Sequence, residues 1–288
     1  MSRRVIPKGE FYITNVCNLT CENCNRFNDY NFKGWQAWND YKDDYTEWAK
    51  YVDFEQIVIL GGEPLLNPTI VDWALGLNAL WPTATVQILT NGTRLTHVKD
   101  LYEKIKNRRI WIGVSLHNDE DNREIFEQIE NFVRPPVKEM HGTENNIYNA
   151  DWYYEDSNLI KIAVWNQTEF YQSSIKRNAA GELTLHNSDP LKAHSNCGFV
   201  HWKNYHFIRG KLYKCGPSTL LPEFDQQHPL AITAEDRELL HSYRPLGSDE
   251  LATRLDQFMD EIDNPIPMCK FCPEQSNYKK IWAIRKGK

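Results

Sequence analysis

Seven cysteines fall into two groups, three between positions 17 and 24 and four between 197 and 272, and this division constrains the chain more than any other feature. An odd number cannot pair completely in disulfides. Clustered thiols in a reducing compartment more often bind metal, because thiolates are soft ligands and the disulfide option is closed there. Cys17-Asn-Leu-Thr-Cys21-Glu-Asn-Cys24 has the spacing C-x3-C-x2-C. Three close thiolates suit three corners of a four-iron cluster, whereas a cluster used only for electron transfer takes four cysteines. The triad therefore predicts one iron open to an exogenous ligand. A zinc site completed by a distant histidine is the competing reading, although zinc motifs usually present their ligands in pairs.

The surrounding chain reads as alternating strands and helices. Phe11–Asn15 is strand-like and runs directly into the cysteine loop. Gln56–Leu60 is a continuous apolar run of the kind buried in parallel sheets, and it empties into Gly61-Gly62-Glu63-Pro64, where glycines permit a ligand to approach the backbone. Helical patterns cover 68–81, 101–107 and 120–132, and further strands are expected at 86–90, 109–116, 137–140 and 159–165. Such alternation implies a parallel sheet with helical crossovers, and barrels of this type carry their active sites at the carboxyl ends of the strands. The aromatic and acidic segment from Trp35 to Tyr51 is expected to be an amphipathic helix packed on the core, with a lid over a substrate pocket as the alternative.

With these residues in place, the chain resembles the radical S-adenosylmethionine (SAM) superfamily, in which a C-x3-C-x2-C loop and a Gly-Gly-Glu-Pro element follow the first and second strands. The resemblance spans 11–165 and implies a partial (β/α)6 TIM-like barrel of class α/β. It implies that Cys17, Cys21 and Cys24 hold a [4Fe–4S] cluster whose open iron is chelated by the methionyl group of SAM. Gly61, Gly62, Glu63 and Pro64 would then bind the methionyl amine, with Asn91, Ser115 and His117 near the ribose or carboxylate. The family commonly has an aromatic residue against the adenine where this chain has Asn23.

The second group reads Cys197, then Gly210-Lys-Leu-Tyr-Lys-Cys215, then Cys269-Lys-Phe-Cys272. Residues 205–214 alternate like a hairpin turning at Gly210. Four cysteines alone also fit a structural zinc ribbon. In context, their arrangement resembles the twitch domain, a short relative of the SPASM domain, and implies a small C-terminal α+β domain with a second, fully ligated [4Fe–4S] cluster suited to moving electrons. The expected division is 1–195 for the partial barrel and 196–288 for the auxiliary domain, with helices over 233–243 and 249–262 packing the latter.

The implied reaction is reductive cleavage of SAM to a 5′-deoxyadenosyl radical and hydrogen abstraction from a substrate, in an oxidation of a small molecule. An external donor such as flavodoxin or ferredoxin would supply the electron. The sixteen residues before Cys17 favour a small molecule over a leader-bearing peptide. Radical modification of a peptide, by cross-link or epimerisation, and a non-enzymatic iron–sulfur or zinc module are the alternatives. Lys161, Arg177, His201 and His206 are candidates for a catalytic base by position. A net charge of −6 argues against nucleic acid as partner, and the absence of an apolar stretch of about 18 residues argues against a membrane, which places the chain in the cytoplasm.

Overall fold

The computed structural model describes residues 3–142, 148–275, 278–280 and 283–285. The first half runs β1 (Arg4–Tyr12), β2 (Leu19–Cys21), α1 (Trp38–Tyr51), β3 (Val52–Leu60), α2 (Ile70–Leu80), β4 (Thr85–Thr90), α3 (Leu101–Ile105), β5 (Ile110–Leu116) and α4 (Asn122–Phe132), followed by β6 (Val137–His141), β7 (Trp152–Asp156) and β8 (Lys161–Asn166). The second half contains β9 (Glu169–Tyr171), β10 (Ile175–Arg177), β11 (Leu183–Leu185), α5 (Pro190–Ser195), α6 (Gly198–His201), β12 (Asn204–Ile208), β13 (Lys211–Tyr213), α7 (Gly216–Gln227), α8 (Ala234–His241), α9 (Leu251–Glu261), β14 (Tyr278–Lys280) and β15 (Ala283–Arg285).

Nine described strands form one sheet in the order β13-β12-β1-β3-β4-β5-β8-β7-β6, and its middle six, from β12 to β8, are parallel. This is an α/β partial barrel, open at both edges. The apolar run Ile57–Leu60 is buried along its whole length because helices cover one face and the C-terminal half covers the other. On the helical face, Trp48, Trp73, Trp81 and Phe11 pack in the main core. On the inner face, Tyr12, Val58 and Leu60 meet Leu220, Leu221 and Phe224 of α7. The segment from Trp35 to Tyr51 contributes α1, whose Tyr45 and Trp48 are buried in the core, so it packs rather than forming a lid.

One expectation changes. The strand at 137–140 is not a parallel member: β6 and β7 form an antiparallel pair at the sheet edge, joined antiparallel to β8. Past residue 195, β12 pairs in parallel with β1 and extends the same sheet. The hairpin at Gly210 is present. Arg209 and Gly210 both have positive φ (50° and 73°), as a two-residue type I′ turn requires. Trp48 Nε1 donates to the Gly210 carbonyl (2.8 Å), which fixes the turn against α1.

Candidate functional site

The cysteine loop leaves the carboxyl end of β1 and is braced by the loop after β3. The Gly62 and Glu63 amides donate to the carbonyls of Thr14 (2.7 Å) and Val16 (2.8 Å). A Cβ on Gly61 would lie 2.3 Å from Thr14 O, and one on Gly62 2.3 Å from Val16 O. These glycines therefore admit the backbone of the cysteine loop itself, a tighter constraint than the ligand approach expected from sequence.

Cys17, Cys21 and Cys24 gather with Leu19, Phe170 and Ala283 in one small cluster. The Leu19 amide donates to Cys17 Sγ (3.4 Å) and Asn28 Nδ2 to Cys24 Sγ (3.8 Å). Asn23 has φ 60°, in the turn closed by the Cys24 amide on the Cys21 carbonyl (3.2 Å). Asparagine tolerates this left-handed conformation far better than most residues, which accounts for its presence at this position. Tyr12, the last residue of β1, is 1% exposed, and its hydroxyl has no hydrogen-bond partner among the described residues. Burial raises its pKa well above the usual value, and negative charge on Cys24 and Cys17 adds to that rise. Three neighbouring thiols beside an orphaned buried hydroxyl fit a cluster of iron and sulfide, whose sulfurs accept hydrogen bonds.

Glu63 is fully buried, and both of its carboxylate oxygens are engaged by protein. Oε1 accepts from Leu65 N (2.9 Å) and the Thr90 hydroxyl (2.6 Å), while Oε2 accepts from Asn91 N (2.7 Å). Burial pushes its pKa up to about 7 against the pull of these three donors. The side chain thus ties the Gly61–Pro64 loop to the end of β4. Asn91 in turn donates to Asn18 Oδ1 (2.9 Å) and accepts from the Thr93 hydroxyl (2.7 Å), linking β4 to the cysteine loop. Pro64 is buried beside Glu63, and Ser115 is half-buried near the end of β5. His117 Nδ1 donates to the Gln167 carbonyl (3.0 Å), its ring lies 5.3 Å from that of Phe170, and burial lowers its pKa.

Lys161, Arg177 and His201 do not join this site. Lys161 pairs with Glu155 (3.6 Å) at the start of β8, Arg177 binds the Gly181 carbonyl (2.6 Å) on the surface, and His201 is exposed at the end of α6. His206 is different: it is fully buried, opposite Glu10 in the β1–β12 register, and hydrogen-bonded to Arg26. Arg26 also binds Glu10 (2.8 Å), and burial followed by the Arg26 charge lowers the His206 pKa to about 3. Glu10 and Arg26 were not foreseen, although an acid inside a strand is a signal that it has a partner.

Glu10 and Arg26 open onto a cavity of about 180 Å³ that is also lined by Cys197, Cys215, Cys269 and Cys272. None of these four is in a disulfide. Cys215 caps α7, where the helix dipole favours negative charge, and its amide reaches Ser218 Oγ (3.4 Å). Burial pushes its thiol up to about 11, with Cys197 adding to the shift. Cys272 is raised by burial and then by Cys215, while burial raises Cys269 and Lys214 opposes it. Zinc would draw four sulfurs to about 2.3 Å from one ion. Among the described residues, no group of three His, Cys, Asp or Glu side chains in either cysteine region is placed to hold a single metal ion. Strand β9 stands between the two regions, with Phe170 packed on the triad and Tyr171 lining the cavity.

The Radical SAM superfamily matches residues 11–155, just over half the chain. This chain belongs to the radical SAM superfamily. Members of that family are enzymes, and the family implies a [4Fe–4S] cluster and SAM. Among solved structures, Streptococcus suis SuiB bound to S-adenosylmethionine is 21% identical over 43% of this chain and 30% of that one (TM-score 0.34). The anSMEcpe protein with bound AdoMet is 16% identical over 44% and 40% (TM-score 0.34). BtrN in complex with AdoMet and 2-DOIA is 11% identical over 96% and 98% (TM-score 0.44). The chain thus spans less than half the length of SuiB or anSMEcpe. No curated protein matches its sequence. No helix among the described residues is long and apolar enough to cross a membrane.

Proposed function

We propose that this radical SAM enzyme oxidises a small molecule, using a second [4Fe–4S] cluster held by Cys197, Cys215, Cys269 and Cys272 in a twitch-like unit. The observation that carries this reading is the cavity shared by the four cysteines, which also takes in Arg26 from the triad's own loop. Residues 1–195 would generate the radical, and 196–288 would receive the electron released by substrate. Bound here, the triad's cluster and SAM would supply a 5′-deoxyadenosyl radical that takes a hydrogen atom from a substrate C–H, with the second cluster as electron sink. The chain's share is positioning and proton transfer. The Gly61–Pro64 loop, Asn91, Ser115 and His117 would line the nucleotide. Glu10 and His206 face each other across the β1–β12 register, with Glu10 on the cavity wall, and they are the proposed proton acceptors. A flavodoxin or ferredoxin in the cytoplasm is the proposed electron source.

Anaerobic reconstitution tests the reading directly. The protein should bind about eight irons, and candidate metabolites should give deoxyadenosine together with a product two hydrogens lighter. Stoichiometric zinc in the four-cysteine site would overturn the second cluster, and a product of unchanged mass would overturn oxidation.

A further inference from the structure

The four-cysteine cavity contains a cation that no described residue matches with a counter-charge. Lys214 directly precedes Cys215, is 6% exposed and lines the cavity. Its ammonium donates to the backbone carbonyl of Ile262. Among the described residues no carboxylate reaches it within salt-bridge distance. The other charged groups on the cavity wall are already matched: Arg26 lies 2.8 Å from Glu10, and Asp263 takes Lys203 (3.4 Å) and the Tyr205 hydroxyl (2.8 Å). An ammonium removed from water without an anion costs several kcal/mol, and a negative group in the space beside it offsets that cost. Four thiolates around an oxidised [4Fe–4S] core leave a net charge of about −2.

We propose that Lys214 is the counter-charge of the cluster held by Cys197, Cys215, Cys269 and Cys272, and that it raises the reduction potential of that cluster. This inference rests on the four-cysteine reading above. A positive charge beside the cluster stabilises its reduced form more than its oxidised form, because reduction adds one further negative charge. The consequence is an auxiliary cluster that more readily accepts the electron left on an oxidised substrate. Lys214 acts through the cluster and is therefore a positioning residue for charge.

The test uses the full chain with Cys17, Cys21 and Cys24 replaced by Ala, so that only the second cluster is present. Iron content is measured first, and then the midpoint potential by stepwise reduction with dithionite under electron paramagnetic resonance. Lys214→Met should shift the midpoint to a lower potential, and Lys214→Arg should keep it near the parent value. If Lys214→Met cannot retain iron while Lys214→Arg can, the counter-charge role stands. Equal potentials in iron-replete Met and parent proteins would overturn it, as would loss of iron from both variants alike. A parent protein that holds zinc or no metal in this site defeats the four-cysteine reading itself, a result distinct from a cluster whose potential ignores Lys214.

Discussion

Cys17, Cys21 and Cys24 lie in one short loop, whereas Cys197, Cys215, Cys269 and Cys272 reach their cavity from the start of α6, the start of α7 and the turn beyond α9. The first site is set by hydrogen bonds among uncharged side chains, Asn18, Asn28, Thr90 and Asn91, and by the Gly61–Pro64 loop. The second depends on the closure of the whole C-terminal half over the inner face, and its neighbours are charged. A locally braced site should fail alone when its loop is disturbed. A site assembled from distant segments should be lost without disturbing the first, provided the inner face still packs.

The largest expected effect comes from removing thiols. Replacing Cys17, Cys21 and Cys24 by Ala should abolish deoxyadenosine formation and halve the bound iron from about eight to about four. Replacing Cys269 and Cys272 by Ala should also halve the iron, yet leave deoxyadenosine formation measurable while oxidised product falls steeply. Iron analysis and chromatography of both products check this. Equal loss of deoxyadenosine in the two variants would erase the functional difference between the sites.

A smaller and more selective effect is expected from Gly62→Ala. The new methyl group would meet the Val16 carbonyl at 2.3 Å, so the cysteine loop must move. Overpacking of this kind costs about 1–3 kcal/mol. The triad should lose iron and nucleotide cleavage while the four-cysteine site retains its metal, read by iron content in the Gly62→Ala chain with and without the triad. A variant with both sites intact would show that the close approach is dispensable.

This asymmetry also explains what was legible beforehand. The triad, the Gly61–Pro64 loop, the buried run Ile57–Leu60 and the turn at Gly210 are written in short stretches whose spacing or chemistry dictates local geometry. The pairing partner of a strand is not written in the strand. Thus β12 was recognisable as half of a hairpin, but its place beside β1 was not, and β6 was recognisable as a strand without its antiparallel sense. The Glu10–Arg26–His206 group escaped for the same reason, since Arg26 and His206 are 180 residues apart. Lys161, Arg177 and His201 were candidates by position along the chain, and position in sequence alone does not say which end of the sheet a side chain occupies.

The last expected effect is on stability and leaves the metal content untouched: it concerns how the first site is braced. Glu63 has a folded pKa near 7, above the unfolded carboxylate value of 4.5, because burial outweighs its three hydrogen-bond donors. A raised folded pKa means that the native state holds the proton more tightly. The stability it contributes is complete below about pH 4.5 and is lost as pH rises through about 7, on the order of 3 kcal/mol across that window. His206 works in the opposite direction, because its folded pKa is lowered to about 3 by burial and then by Arg26, so its contribution is lost as pH falls. The raw pH profile therefore mixes two slopes, and the informative quantity is the difference between the parent protein and Glu63→Gln, both measured without cluster. Glutamine preserves an acceptor for the Asn91 amide but carries no titration. The parent's melting temperature relative to the variant's should fall by several degrees between pH 5 and pH 8, with buffer and ionic strength held constant. Parallel profiles would mean that Glu63 stays ionised throughout, and that the Gly61–Pro64 loop is tied to β4 by a carboxylate whose three donors fully offset its burial.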